Sequence, residues 1–212
     1  MATFNNGING GFNGKVGSTI GYQLNGKWVM RSLPKLSPKN KKGSANQRAC
    51  RSGFTKMQHF LSPVIDFIRV GFNLESKLRQ MGAHNVAKSY NMLNALDANG
   101  AIDYSKICLT FGNLRGVENH SIAQDDIGFH FSWTDNSENT WIRTTDQIML
   151  LAYNVNDKRA YCKLSGARRE TGFDSLLIPS LEKGNEFHTW ISFIADDRQG
   201  ISMSSYAGKF IF

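Results

Sequence analysis

Asn25-Gly26 lies between the runs Ile20–Leu24 and Lys27–Arg31, and it constrains the chain more than any other local feature. A two-residue type I′ turn needs positive φ at both positions, which asparagine followed by glycine accepts readily. The spacing predicts a hairpin with Leu24 opposite Lys27. Tyr22 then faces Val29 on one side of the ribbon, and Gln23 faces Trp28 on the other. Glycines 7, 10, 11, 14, 17, 21 and 26 separate the single large residues Phe4, Ile8, Phe12, Val16, Ile20 and Tyr22. A spacing of four imitates a helix face, but each glycine costs a helix about 1 kcal/mol. Extended, turn-rich backbone is therefore expected for residues 1–32.

The stretch Leu33–Gly43, with two prolines and four lysines, reads as a solvated connection. Ser44 is placed to cap a helix reaching about Ser62, with Ala45, Ala49, Phe54, Met57, Phe60 and Leu61 as its apolar stripe. Pro63 opens a second helical piece containing Val64, Ile65, Phe67 and Ile68, which Gly71 or Gly82 interrupts. A further helix near Ala83–Leu96 has Val86, Tyr90 and Leu93 on one face.

From Asp103 the pattern changes to short strands. Ile127, Phe129, Phe131 and Trp133 alternate with Gly128, His130 and Ser132, the period of a half-buried strand. About seven strands are expected, near 106–111, 126–134, 147–153, 159–165, 174–178, 187–195 and 202–212. That number and spacing suggest an immunoglobulin-like or fibronectin-like antiparallel β-sandwich. The expected fold class is α+β: a glycine-rich β-hairpin over 1–32, a basic connection and small helical region over 33–101, and the sandwich over 102–212.

Charge is divided as unevenly as structure. Ten basic residues and no acid precede Asp66, whereas the remaining chain holds fifteen basic and all seventeen acidic residues. A net charge of +8 thus arises from a cationic end, which suits a polyanion or head-to-tail association of copies. No apolar run approaches the ~20 residues of a membrane span, so no membrane insertion is expected. The opening residues lack the basic and apolar segments of a secretory signal. Cytoplasmic synthesis is expected, with a particle-associated or non-classical surface location compatible with it. Cys50, Cys108 and Cys162 are odd in number and far apart, and read as reduced, packed thiols.

Motifs for chemistry are outweighed by plainer readings. Gly21–Lys27 has phosphate-loop spacing, but Trp28 stands where a magnesium-binding hydroxyl belongs. Asp135, Ser137, Asn139 and Asp146 fit positions 1, 3, 5 and 12 of a calcium loop, but Thr140 replaces its glycine and strands flank it. His120, Asp125, Asp126 and His130 have no established ligand spacing, and His130 belongs on the polar face of its strand. No Gly-x-Ser-x-Gly occurs. No catalytic residue, cofactor or metal is assigned.

The segments Gly10–Gly21, Arg31–Pro34, Gln47-Arg48, Phe60–Pro63, Ala87 with Ser89–Asn91, Ile102–Lys106 and Trp133–Ser137 resemble an uncharacterised family found mainly in Bacteroidota. The resemblance covers almost the whole chain and implies a shared architecture without supplying a catalytic residue.

The physical reading favours a nonenzymatic structural or assembly subunit. A glycine-rich ribbon is too thin to build a core, yet it offers backbone donors and acceptors to another sheet edge. The terminal strand Ser205–Phe212 ends on apolar residues and is expected to be docked. Expected partners are copies of the chain or another particle subunit. The alternative is nonspecific polyanion binding, to nucleic acid or acidic glycan, by the basic end. Either role falls to Phe12, Lys15, Tyr22, Lys27, Trp28, Arg31, Lys35, Lys39, Lys41, Lys42, Arg48 and Arg51.

Overall fold

The computed structural model describes residues 2–4, 7, 10–33, 43–137, 143–179 and 182–212. Two compact units divide the chain, Met1–Arg48 and Ala49–Phe212. It is α+β, with antiparallel sheets at both ends and helices between them.

The first unit holds β1 (Thr3–Phe4), β2 (Phe12–Val16), β3 (Thr19–Leu24) and β4 (Lys27–Ser32), hydrogen-bonded in that order. Asn25 and Gly26 take φ of 48° and 78°, and the β3–β4 register pairs Leu24 with Lys27, Gln23 with Trp28 and Tyr22 with Val29. The hairpin is as expected, but it forms half of a four-stranded sheet. The connection at residues 34–42 lies outside the described residues.

Four helices follow: α1 (Ala45–Leu61), α2 (Ile65–Gly71), α3 (Asn73–Arg79) and α4 (Ala83–Asn94). Ser44 and Gln47 form a reciprocal cap. The Ser44 N–H donates to Gln47 Oε1 at 3.0 Å, and the Gln47 N–H donates to Ser44 Oγ at 3.3 Å. The buried face of α1 is Gly53, Met57, Phe60 and Leu61; Phe54 is exposed, with the Lys88 ammonium 4.2 Å from its ring centroid. On α4 the buried face is Val86, Ala87 and Asn91, so Leu93, 82% exposed, falls outside the expected stripe.

The second unit continues with β5 (Glu118–Asp125), β6 (Gly128–Thr134), β7 (Gln147–Asn154), β8 (Arg159–Lys163), β9 (Phe173–Leu177), β10 (Glu186–Ile194) and β11 (Ser205–Ile211). They form two sheets, β11-β10-β7-β8 and β5-β6-β9. The four-stranded sheet is central. Ile148, Leu150 and Ala152 of β7, with Phe187, Ile191 and Phe193 of β10, meet Phe129, Phe131, Trp133 and Leu176 of the other sheet. Met149, Leu151, Tyr153, Trp190 and Ile194 project oppositely, into a core with Phe60, Phe67, Ile68 and Phe72 of the helical segment. Burial of both faces is why β7 and β10 read as continuous apolar runs rather than alternating ones.

Two strand expectations fail. Residues 106–111 form no strand: a short turn over Tyr104–Lys106 leads into Ile107, Cys108 and Leu109, which are buried in the helical core. The seventh strand is instead β5, a polar edge strand whose Ile122 packs on the inter-sheet core. Phe129, Phe131 and Trp133 are buried as their alternation requires, but Ile127 precedes the strand and is exposed. Cys108 alone is buried among the three free thiols, so Cys50 and Cys162 are not packed.

Candidate functional site

Alternation along the N-terminal sheet separates the expected site residues by chemistry. Lys15 pairs with Ile20 and Ile20 with Arg31, while Tyr22 pairs with Val29 and Leu24 with Lys27. Directly opposed residues share a face, so Lys15, Lys27, Arg31 and Tyr22 lie on one side. Arg31 places its guanidinium 5.6 Å from the Tyr22 ring centroid. All three cations are exposed, and the unit contains no carboxylate to neutralise them.

Phe12 and Trp28 lie on the other side with Phe4, Val16 and Met30. Phe4 and Phe12 have ring centroids 5.5 Å apart. Two glycines make this face flat. A Cβ on Gly21 would stand 2.7 Å from the Phe12 ring, and one on Gly11 1.9 Å from the Trp28 indole. The rings therefore rest against bare backbone, bordering a shallow depression of about 170 Å³. Trp28 is 42% exposed and Met30 66%. Among the described residues of this unit no large apolar side chain is buried, and the first buried one among the described residues of the chain is Met57.

The remaining expected residues divide similarly. Arg48 and Arg51 are exposed on α1, whereas Lys35, Lys39, Lys41 and Lys42 lie outside the described residues.

A match to the model of a family of unknown function, DUF6266, spans residues 11–208. The chain belongs to that family. None of the curated proteins matches it. The matched span includes β2–β4, so the cationic face and, apart from Phe4 on β1, the glycine–aromatic face lie within the family's module.

The candidate metal and catalytic positions have other engagements. His130 contacts Asp125 Oδ2 through Nε2 at 2.5 Å and Ser175 Oγ through Nδ1 at 2.8 Å. These three residues come from β6, β5 and β9, so the line ties all three strands of one sheet together across its outer face. His130 thus stands on the polar face as its alternation requires. His120 is also on β5, while among the described residues no three His, Cys, Asp or Glu side chains converge on a metal position. In the calcium-like stretch, Asp135 Oδ1 accepts from the Ser137 N–H at 3.0 Å, and Asn139 and Thr140 lie outside the described residues. Asp146 is wholly buried and accepts from Arg169 Nη2 at 3.2 Å, an ion pair closed over by the Phe193 ring. Burial pushes the Asp146 carboxyl up against the opposing pull of Arg169.

Sequence reasoning missed a polar line on the central sheet. His188 contacts Tyr206 Oη through Nδ1 at 2.7 Å and Glu186 Oε1 through Nε2 at 3.1 Å, and Lys209 Nζ lies 2.7 Å from Glu186 Oε2. Tyr104 stacks on the imidazole with centroids 4.0 Å apart. Burial lowers the His188 pKa from its ordinary 6.5. Period two placed His188 on a face with Trp190, but nothing local revealed that the helical side covers that face.

Proposed function

We propose that this protein is a nonenzymatic assembly subunit that self-associates through the glycine–aromatic face of its N-terminal sheet, with a second copy as partner. One observation carries the reading: a four-stranded sheet displays Phe4, Trp28 and Met30 while no large apolar side chain among the described residues of its unit is buried. A sheet needs a covered apolar face for stability, and sheets stack about 10 Å apart. A flat plate can meet a flat plate related by two-fold symmetry, which gives a self-complementary contact. Lys15, Lys27 and Arg31 then point outward from both copies, which keeps the two sets of charge apart.

Area sets the strength. Nineteen strand residues, two on β1, five on β2 and six each on β3 and β4, at about 4.8 Å by 3.3 Å each, give a face of roughly 300 Å². That is well under half of the roughly 800 Å² a stable partner usually contributes. Association is therefore weak per contact and strongly concentration-dependent. The edge of β4, unpaired among the described residues, offers a second contact by which pairs extend into longer assemblies.

Sedimentation velocity over a concentration series tests this. The full chain forms dimers and larger species as concentration rises, deletion of residues 1–32 abolishes them, and Trp28→Asp with Met30→Asp does the same while Arg31→Glu does not. A monomer throughout the series overturns the reading. Indifference to Trp28→Asp and Met30→Asp overturns the assigned face.

The outward cationic face favours a second reading, polyanion binding. Three phosphate contacts predict a log–log salt slope near −2 for a single strand, shallower by about one for Arg31→Glu. Salt-sensitive binding by a strict monomer selects this reading over assembly.

The finer fold reading is that the two C-terminal sheets form a fibronectin-like sandwich. It is supported by two antiparallel sheets of three and four strands, in which the fourth of the seven strands joins the third rather than the fifth.

A further inference from the structure

A cavity of about 540 Å³ opens on the second unit, lined by Lys56, His59 and Phe60 of α1, by Ala101, Ile102 and Tyr104, and by Tyr153, Val155 and Lys158 at the end of β7 and its turn. Its volume is within the range of small-molecule sites. The floor is aromatic and angular. Phe60 meets Tyr153 at 80° with centroids 5.0 Å apart and Tyr104 at 69° with centroids 5.6 Å apart, so Phe60 locks both tyrosine rings edge to face.

The charged side chains that line the cavity are Lys56 and Lys158; the Glu186 carboxylate, which acts on Tyr104 from outside the lining, is engaged by Lys209 and His188. Lys56 donates to Gly100 O at 2.7 Å and is thereby held at the rim with further N–H groups to offer. Lys158 takes a left-handed backbone, φ 55°, and pairs with no carboxylate among the described residues. No carboxylate lines the cavity. The nearest acids in sequence are engaged: Asp103 with Lys106 and Ser105, and Asp157 with Asn154.

Two phenols complete the wall. Tyr153 is only 4% exposed yet contributes to the lining, and neither its hydroxyl nor that of Tyr104 has a hydrogen-bond partner among the described residues. These hydroxyls are open to the cavity rather than sealed in the core, and each is free to donate to a group that enters. Burial pushes the Tyr153 phenol up to about 12, so at neutral pH it is a protonated donor. Two ammonium groups and two phenol donors around an angular aromatic floor match an anion carried on a ring.

We infer that this cavity binds an aromatic carboxylate, with the ring among Phe60, Tyr104 and Tyr153 and the carboxylate held by Lys158, Lys56 and the phenol hydroxyls. The inference is independent of self-association, because every lining residue belongs to the second unit.

Titration of the isotope-labelled full chain with indole-3-acetate, followed by amide chemical shifts, provides the test. For a probe of this size a Kd on the order of 1 mM is expected, with saturable shifts at His59, Ala101, Tyr104 and Lys158. Neutral indole-3-acetamide binds at least about tenfold more weakly, the usual effect of removing a charged hydrogen-bond partner. Lys158→Gly, which suits the left-handed backbone, weakens indole-3-acetate to a similar degree. Tyr153→Phe keeps the ring and weakens the acid more than the amide. No saturable shift, equal binding of acid and amide, shifts elsewhere, or unaltered binding by Lys158→Gly each overturns the inference.

Discussion

Replacing Asn91 by leucine isolates the interaction that turns residues 107–110 away from strand geometry. Asn91 is fully buried on α4; its Nδ2 donates to Cys108 O at 2.7 Å and to Ala87 O at 2.9 Å, and its Oδ1 accepts from the Cys108 N–H at 2.8 Å. Ala87 O keeps its helical donor in the variant, so the loss concentrates on the N–H and C=O of Cys108. Two buried backbone groups left without partners, at about 1–3 kcal/mol each and offset partly by the apolar leucine, give about 3 kcal/mol. That is a large share of a typical 5–15 kcal/mol.

Asn94 is the control, since its Nδ2 makes a bond of the same kind to Tyr90 O on the same helix, at an exposed position. Asn94→Leu changes stability by about 0.5 kcal/mol or less. Urea unfolding followed by tryptophan fluorescence reads both variants, and with a slope near 2 kcal/mol per molar the Asn91→Leu midpoint falls by about 1.5 M. If the two variants lie within 1 kcal/mol of each other, the account of this segment is wrong.

Acid destabilises the protein through His188. Its pKa is lowered in the folded state, so the unfolded chain binds the proton more readily, and the contribution is present above about 6.5 and lost as pH falls through and below that value; urea midpoints between pH 7.5 and 5.5 show the fall, and His188→Gln flattens it. A thiol reagent titrates Cys50 and Cys162 in the native protein, whereas buried Cys108, with its thiol pushed up to about 11, reacts only after unfolding. Arg169→Met leaves the Asp146 carboxylate buried without its counter-charge and lowers stability by about 3–5 kcal/mol in the same urea assay. Gly21→Val drives a side chain into Phe12 and its carbonyl, so amide exchange accelerates across the β2–β3 ladder while exchange within β7 and β10 is unchanged.

What the sequence disclosed follows the range of the forces involved. The Asn25-Gly26 turn and the Ser44 cap depend on neighbours within a few residues, and both stand where local chemistry puts them. The strand at 106–111 failed because an apolar run is equally content in a core without a ladder. The groups that hold Cys108–Thr110, namely Asn91, Ser202 and Ser204, are distant in sequence. β5 was overlooked for the opposite reason: an edge strand with little to bury carries almost no alternation. The cavity at Tyr104 and Tyr153 was illegible because it joins a helix, a turn and a strand end. The candidate residues of the N-terminal sheet were nearer to hand. The hairpin register already put Tyr22 and Trp28 on opposite faces, and carrying that alternation to Lys15, Lys27 and Arg31 separates the cations, together with Tyr22, from Phe12 and Trp28.

That separation decides how the two functional readings relate. Had the cations shared the face of Phe12 and Trp28, pairing of that face would bury three ammonium or guanidinium groups with no carboxylate in the unit to meet them, and charges desolvated without partners are strongly unfavourable. On opposite faces the requirements decouple. The apolar plate is free to be covered, and the outward charges keep their hydration and repel neighbours at long range. Repulsion between exposed cations is screened over about 10 Å at 0.1 M salt. Assembly should therefore strengthen as salt rises, whereas polyanion binding weakens. Sedimentation at low and high salt distinguishes an apolar contact from a charge-driven one before any residue is changed, and self-association that dissolves with added salt would remove the glycine–aromatic face from consideration.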